Sequence, residues 1–263
     1  MARLFTFGCS FTQWPWPTWA DIIAYDLDIE FQNWGIPGIG NVGIHSRMIE
    51  CDIRNSFTDE DILMVVWSSW TREDRSDIKK STFGLGWTAL GDVFNSYDKN
   101  FIDNHWSLEN DLVKNSVAMI STSKMFEKNL KFQGHIIEPM ILDYYNDQIN
   151  FNEREKTIAK FYEPYIINQG VFQENRKHSC RYTKTNDSHP DILSHMDYVQ
   201  EFICPVLNRT LSNRTIEHFT RMHNELLHYT ENVMDTSDGI DYRNKIHTVL
   251  ASYGWLAAKY EGF

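Results

Sequence analysis

The sequence predicts a doubly wound α/β fold, and three observations carry that expectation. Arg3-Leu-Phe-Thr-Phe7 and Asp61-Ile-Leu-Met-Val-Val-Trp67 are short, nearly continuous apolar runs, as expected of strands covered on both faces. Glycine or polar turns follow such runs and lead into segments with helical apolar spacing. The resulting alternation of strand and helix through the first half of the chain is the grammar of a parallel sheet between helical layers.

Taken in order, the first strand stops at Gly8, Pro17 stands where a helix can open, and Thr18-Trp-Ala-Asp-Ile-Ile-Ala-Tyr25 continues that helix. A second strand is expected over Ile29–Trp34, ending at Gly35. The turn Gly35-Ile-Pro-Gly-Ile-Gly-Asn41 then leads into a helix over Val42–Ile53, and Asp61–Trp67 supplies the central strand. Residues 73–104, rich in Gly, Asp, Asn and Ser, read as an insertion. A helix over Leu108–Leu130, a strand from Gln133 to Pro139 and a helix over Glu153–Tyr162 follow. After His189-Pro190, Ile192–Leu207 has a helical pattern, as do Thr215–Val233 and Tyr242–Tyr260, which are separated at Asp238-Gly239. The expected organisation is an α/β domain over 1–207 and a helical extension over 208–263, the surface expected to serve self-association.

Composition narrows the function. Lys and Arg number 25 against 36 Asp and Glu, for a net charge of −11, which argues against a phosphate-backbone partner. The four cysteines (Cys9, Cys51, Cys180, Cys204) form no CxxC pair, so neither a disulfide framework nor a zinc site is expected. His218, His223 and His228 recur at a spacing that does not share one helical face, so no metal is expected there either. The chain contains no apolar run approaching the roughly 18 residues of a membrane span and begins with no signal-peptide pattern. The expectation is a product soluble and cytoplasmic as synthesised, with no membrane partner and no cofactor.

Three segments carry candidate chemistry. Gly8-Cys-Ser10-Phe-Thr12 follows the first strand, where open α/β sheets place their ligands. A serine there is often a helix cap, but this turn is also expected to expose its hydroxyl beside backbone N–H groups. Asn33-Trp-Gly-Ile-Pro-Gly38-Ile-Gly-Asn41 follows the second strand; it reads either as a tight loop capped by Asn41 or as glycine N–H groups aimed at an oxyanion. Asn186-Asp187-Ser-His189-Pro190 places a carboxylate two residues before an imidazole on a proline-stiffened turn, the pairing that orients a general base.

Together these segments resemble the SGNH (GDSL-like) hydrolase superfamily over roughly residues 3–205. Gly8-Cys-Ser10 looks like the first block, with Cys9 in place of the usual Asp. Asn33–Gly38 looks like the second block, and Asp187-Ser-His189-Pro looks like the last. The resemblance implies a flavodoxin-like three-layer α/β/α sandwich with a central parallel sheet. It implies Ser10 as nucleophile, His189 as base, Asp187 as the orienting acid, and an oxyanion hole from Ser10, Gly38 and Asn41. The chain departs from the family at two places. The third block's Asn is missing from Trp67-Ser-Ser-Trp-Thr-Arg72, where Ser68, Ser69 or Arg72 are the stand-ins, and Asn186 holds the usual acid position three residues before His189.

The implied activity is hydrolysis of carboxylic esters through an acyl-enzyme. Trp14, Trp34, Trp67 and Trp70, with Arg72, fall beside the candidate loops, where aromatic rings either pack the rim or stack on sugar rings, as an acetylated carbohydrate substrate would need. The missing Asn favours a different class, a structural or adhesin-like protein that keeps the fold with weak chemistry. Thin SGNH-like chains of that kind occur in bacteriophage genomes, so virion association is the corresponding expectation.

Overall fold

The computed structural model describes residues 2–76, 87–137, 152–172, 189–232, 246 and 249–253. Its centre is a four-stranded parallel sheet built from β1 (Arg3–Gly8), β2 (Glu30–Asn33), β3 (Ile62–Trp67) and β6 (Leu130–His135), in the order β2-β1-β3-β6. Leu4, Phe5, Phe7 and all of Leu63–Trp67 are fully buried, which is why these two strands carry apolar residues at successive positions. Edge strand β2 is shorter and polar, and each of its residues keeps some solvent contact. On the far edge, His135 bridges Val171 in parallel, and Gln169 and His135 N–H groups extend the ladder to Gln133 O and Gly170 O.

Helices flank the sheet. α2 (Asn41–Asn55) packs on α5 (Leu108–Met125), which in turn meets α6 (Glu153–Tyr162). A second group is formed by α1 (Trp19–Leu27), α7 (Ile192–Tyr198) and α9 (Asn213–Asn232). From β1 the chain runs outward to β2 and then returns across β1 to β3. The crevice beyond the carboxyl ends of β1 and β3 is therefore a topological switch point.

Several elements differ from the sequence reading for identifiable reasons. Among the described residues of 73–104 is an antiparallel hairpin, β4 (Arg72–Ser76) paired with β5 (Trp87–Asp92), followed by short helices α3 (Val93–Ser96) and α4 (Lys99–His105). These two strands pair with each other, outside the main sheet. α5 ends at Met125 rather than Leu130, because the chain must turn into β6; the Asn129 side chain pins that turn to Thr58 O and Asp61 O at 2.6 and 3.0 Å. The expected helix over 192–207 is α7, a π turn (Val199–Ile203) and α8 (Cys204–Val206). Pro205 lacks the N–H that would bond back into the preceding turn, and the ladder loosens just before it. The expected helix over 242–260 lies almost wholly outside the described residues.

α9 buries Phe219, Met222 and Leu226 from one face, and its start is tied to α1 by one carboxylate. Asp26 accepts from Ser212 N at 2.9 Å and Thr215 Oγ1 at 2.7 Å, and pairs with Arg209. Burial works against its ionisation, but these donors outweigh it and hold the carboxyl below its ordinary value. Replacing Asp26 with Ala leaves Ser212 N without its acceptor and takes the carboxylate away from Thr215 and Arg209, so Asp26→Ala is expected to lose about 3 kcal/mol in chemical denaturation at pH 7. A loss below about 0.5 kcal/mol would show that the tie is dispensable.

Candidate active site

The site is built from the end of β1. A Cβ on Gly8 would stand 2.1 Å from Thr12 Oγ1 and 2.7 Å from Val66 O, so only glycine lets the chain turn here. Cys9 O then accepts from Thr12 N and Gln13 N at 2.9 and 3.1 Å, closing a tight turn with Ser10 and Phe11 between them. Thr12, fully buried, is the hub of this loop: its carbonyl accepts from Thr18 Oγ1 (2.6 Å) and Asn33 Nδ2 (2.8 Å), and its hydroxyl accepts from Trp19 Nε1 (3.2 Å). Sequence reading placed Thr12 inside a motif without assigning it this work.

Ser10 is sheltered rather than exposed, at 4% of its accessible surface, because the loop it opens folds down onto the segment bearing His189. Trp16 Nε1 donates to Pro190 O at 2.8 Å, across 174 residues of sequence. The Trp14 ring stacks on the His189 imidazole at 3.6 Å with planes 15° apart, and Phe11 lies 5.7 Å from the same ring. The structure thus brings the Ser10 loop and His189 together. Among the described residues no hydrogen bond links Ser10 to His189. Asp187 and Asn186 lie outside the described residues.

The second loop hangs from the first strand. Trp34 N donates to Thr6 O at 2.8 Å and Ile36 N to Gly8 O at 2.9 Å, while Asn33 Oδ1 accepts from Gly35 N at 3.0 Å. Those N–H groups are committed to the fold. Gly38 takes a φ of +85° in the turn that follows, and among the described residues no acceptor takes its N–H.

Asn41 is not the N-cap of α2, which is Gly40. Its fully buried amide donates to Ser68 O (3.1 Å) and Asn115 Oδ1 (2.8 Å) and accepts from Ser68 N (2.7 Å). Both amide hydrogens are therefore spent on joining α2, α5 and the end of β3. The cap of α2 comes from the hairpin instead: Asp74 accepts from Gly40 N and Gly43 N, each at 2.8 Å, at the positive end of the helix dipole. Burial pushes the Asp74 carboxyl up even so.

The third loop offers one free hydroxyl. Ser69 Oγ is bonded to Thr71 Oγ1, and Arg72 reaches Ile39 O at 3.5 Å. Ser68 Oγ is buried with no partner among the described residues. Gly8 pairs with Val66, so Ser10 and Ser68 each lie two residues beyond that pair.

The tryptophans do not form one platform. Trp67 is fully buried and donates to Gln133 Oε1 at 3.3 Å, as the last residue of a strand covered on both faces must. Trp70 and Trp34 keep 4% and 5% of their surface, with the Arg47 guanidinium 4.7 Å above the Trp34 ring. Of the four, Trp14 is the one in ring contact with His189.

Two buried histidines stand nearby. Burial drives His195 down to about 3, with the neighbouring His189 adding to the effect, and its Nδ1 has no partner among the described residues. Burial likewise holds His135 near 4, against the hydrogen bond between its Nε2 and Ile167 O, which acts the other way. Among the described residues no cluster of His, Cys, Asp and Glu can hold a metal, and no helix is long and apolar enough to cross a membrane.

No family model matches the chain, and no curated protein does. Among solved structures it is similar to TesA, at 12% identity over 78% of this chain and 97% of that one, with a TM-score of 0.39. It is similar to a catalytic mutant of Axe2, an acetylxylan esterase from Geobacillus stearothermophilus, at 12% identity, 80% and 97% coverage and a TM-score of 0.43. It is also similar to Est2A, an acetyl xylan esterase from the rumen bacterium Butyrivibrio proteoclasticus, at 12% identity, 85% and 64% coverage and a TM-score of 0.37. At these values no residue role passes from those proteins to this chain.

The two buried histidines set an acid limit. Both are neutral in the fold, whereas in the unfolded chain they bind a proton below about 6.5. Stability is therefore expected to fall as pH drops from about 6.5 towards 4, by about 1.4 kcal/mol per pH unit for each histidine. His135→Gln should flatten the slope measured by urea denaturation across that range; an unchanged slope would show that His135 is not one of the groups responsible.

Proposed function

We propose that this protein is a serine hydrolase of carboxylic esters, with Ser10 as nucleophile and His189 as general base. The observation that carries the reading is the clasp between the loop after β1 and the His189-Pro190 segment, made by the Trp14 stack and the Trp16 hydrogen bond. It sits beside the switch point of the sheet, where such folds place reacting ligands.

In this reading His189 takes the proton of Ser10 Oγ as that oxygen attacks the ester carbonyl. The developing oxyanion is held by the N–H groups of Ser10 and Gly38, with the Ser68 hydroxyl, unpartnered among the described residues, as the further donor in place of Asn41, whose amide hydrogens are spent. The tetrahedral adduct collapses, His189 returns the proton to the leaving alcohol, and water assisted by His189 then releases the acid and restores Ser10. Asp187 is assigned to orient the imidazole, with Asn186 as the alternative. The substrate class proposed is a small ester, such as an acetylated carbohydrate.

A second reading, a structural or adhesin-like protein with weak chemistry, is favoured by the commitment of Asn41 and of the Ser68 N–H to internal bonds. Kinetics separate the two. Ser10→Ala is expected to fold normally and to hydrolyse short acyl esters about 10⁴-fold more slowly. Activity within a few-fold of the unmodified protein would remove Ser10 as nucleophile, and absence of hydrolysis in the unmodified protein would favour the second reading.

A further inference from the structure

Trp14 is too closely engaged with His189 to be read as a free surface for a ligand. The stack is tight and nearly parallel, 3.6 Å between centroids and 15° between planes. Trp14 is itself braced edge-on by Trp16, at 5.9 Å and 83°, and Trp16 holds the backbone of the residue after His189. The indole is therefore fixed from one side and carries the imidazole on the other.

We infer that Trp14 is a positioning residue for His189, whose indole face holds the imidazole and stabilises the imidazolium that forms when the serine is deprotonated. The inference rests on the reading of His189 as the general base. An aromatic face attracts a cation through its quadrupole, and indole does so more strongly than a phenyl ring. Protonation of His189 thus strengthens the stack, while the neutral ring gains only packing.

Three other groups lie near His189 in space or along the chain. Phe11 presents a tilted ring at the longer distance of 5.7 Å. His195, on α7, is kept neutral by burial and adds no negative charge. The buried Asp191 caps α7: its Oδ1 accepts from Ser194 N and Ser194 Oγ at 2.8 and 2.9 Å, and its Oδ2 has no partner there.

The test is the titration of His189 followed by proton NMR, its signal assigned by loss in His189→Ala, in the unmodified protein, Trp14→Phe and Trp14→Leu. The midpoint is expected to fall by about one pH unit in Trp14→Leu and by about half as much in Trp14→Phe. The acid limb of kcat/KM should move with it. A ring that merely packs predicts the opposite sign, because removing it lets water reach the imidazole and raises the midpoint. An unchanged or raised midpoint in Trp14→Phe overturns the inference, and that variant decides the matter should Trp14→Leu fail to fold. A fall in midpoint without ester hydrolysis in any variant keeps the Trp14–His189 coupling and removes the esterase reading instead.

Discussion

The architecture of the site depends on the absence of a side chain at Gly8. The first strand can be central, buried on both faces and paired with β3 up to its last residue only if the chain then turns sharply beneath Val66 O. With that turn made, Cys9 O closes the loop, Thr12 becomes its buried hub, and Asn33 brings the second loop onto it. Ile36 N then takes Gly8 O, which locks the second loop to the first strand at the very residue that turns. The catalytic geometry proposed here is thus a consequence of how one strand ends.

The same economy appears around the third loop. Asn41 uses both amide hydrogens and its carbonyl oxygen to hold the end of β3 and α5 to the start of α2. Because Asn41 is occupied, Asp74 reaches from the hairpin to satisfy the N-terminal N–H groups of α2, at the cost of burying a carboxylate. The hairpin's position is therefore tied to the loop that carries Gly38, since Arg72 also meets Ile39 O. The segment that reads as an insertion thus helps, through Asp74, to fix the start of α2.

Much of this was legible in the sequence, and the parts that were not share a cause. Strands such as Ile62–Trp67 announce themselves because burial on both faces leaves an unbroken apolar run. The helix Glu153–Tyr162 was expected with those bounds, and the fold shows the cap that starts it, in which Asn152 and Glu155 exchange hydrogen bonds with each other's backbone. The Ser10 loop and His189 were each read at the end of an α/β unit, and in the fold the Trp14 stack brings that loop to His189. What stayed hidden depends on contacts distant in sequence. Asp74 as a helix cap, Asn41 as a tie rather than a donor, and Trp67 as core rather than rim each require knowing which loops meet. Trp14 was noticed as an aromatic beside the site, but only the fold shows that His189 occupies its face.

The central claim is that the clasp between the two loops makes Ser10 a nucleophile activated by His189. The most direct measurement is covalent labelling of the intact protein by a fluorophosphonate, followed by mass mapping of the modified peptide. The account predicts one adduct, on Ser10, formed at a rate that collapses when His189 is replaced by Ala. Labelling at another residue, no labelling of a folded protein, or labelling of Ser10 that is indifferent to His189 would contradict it.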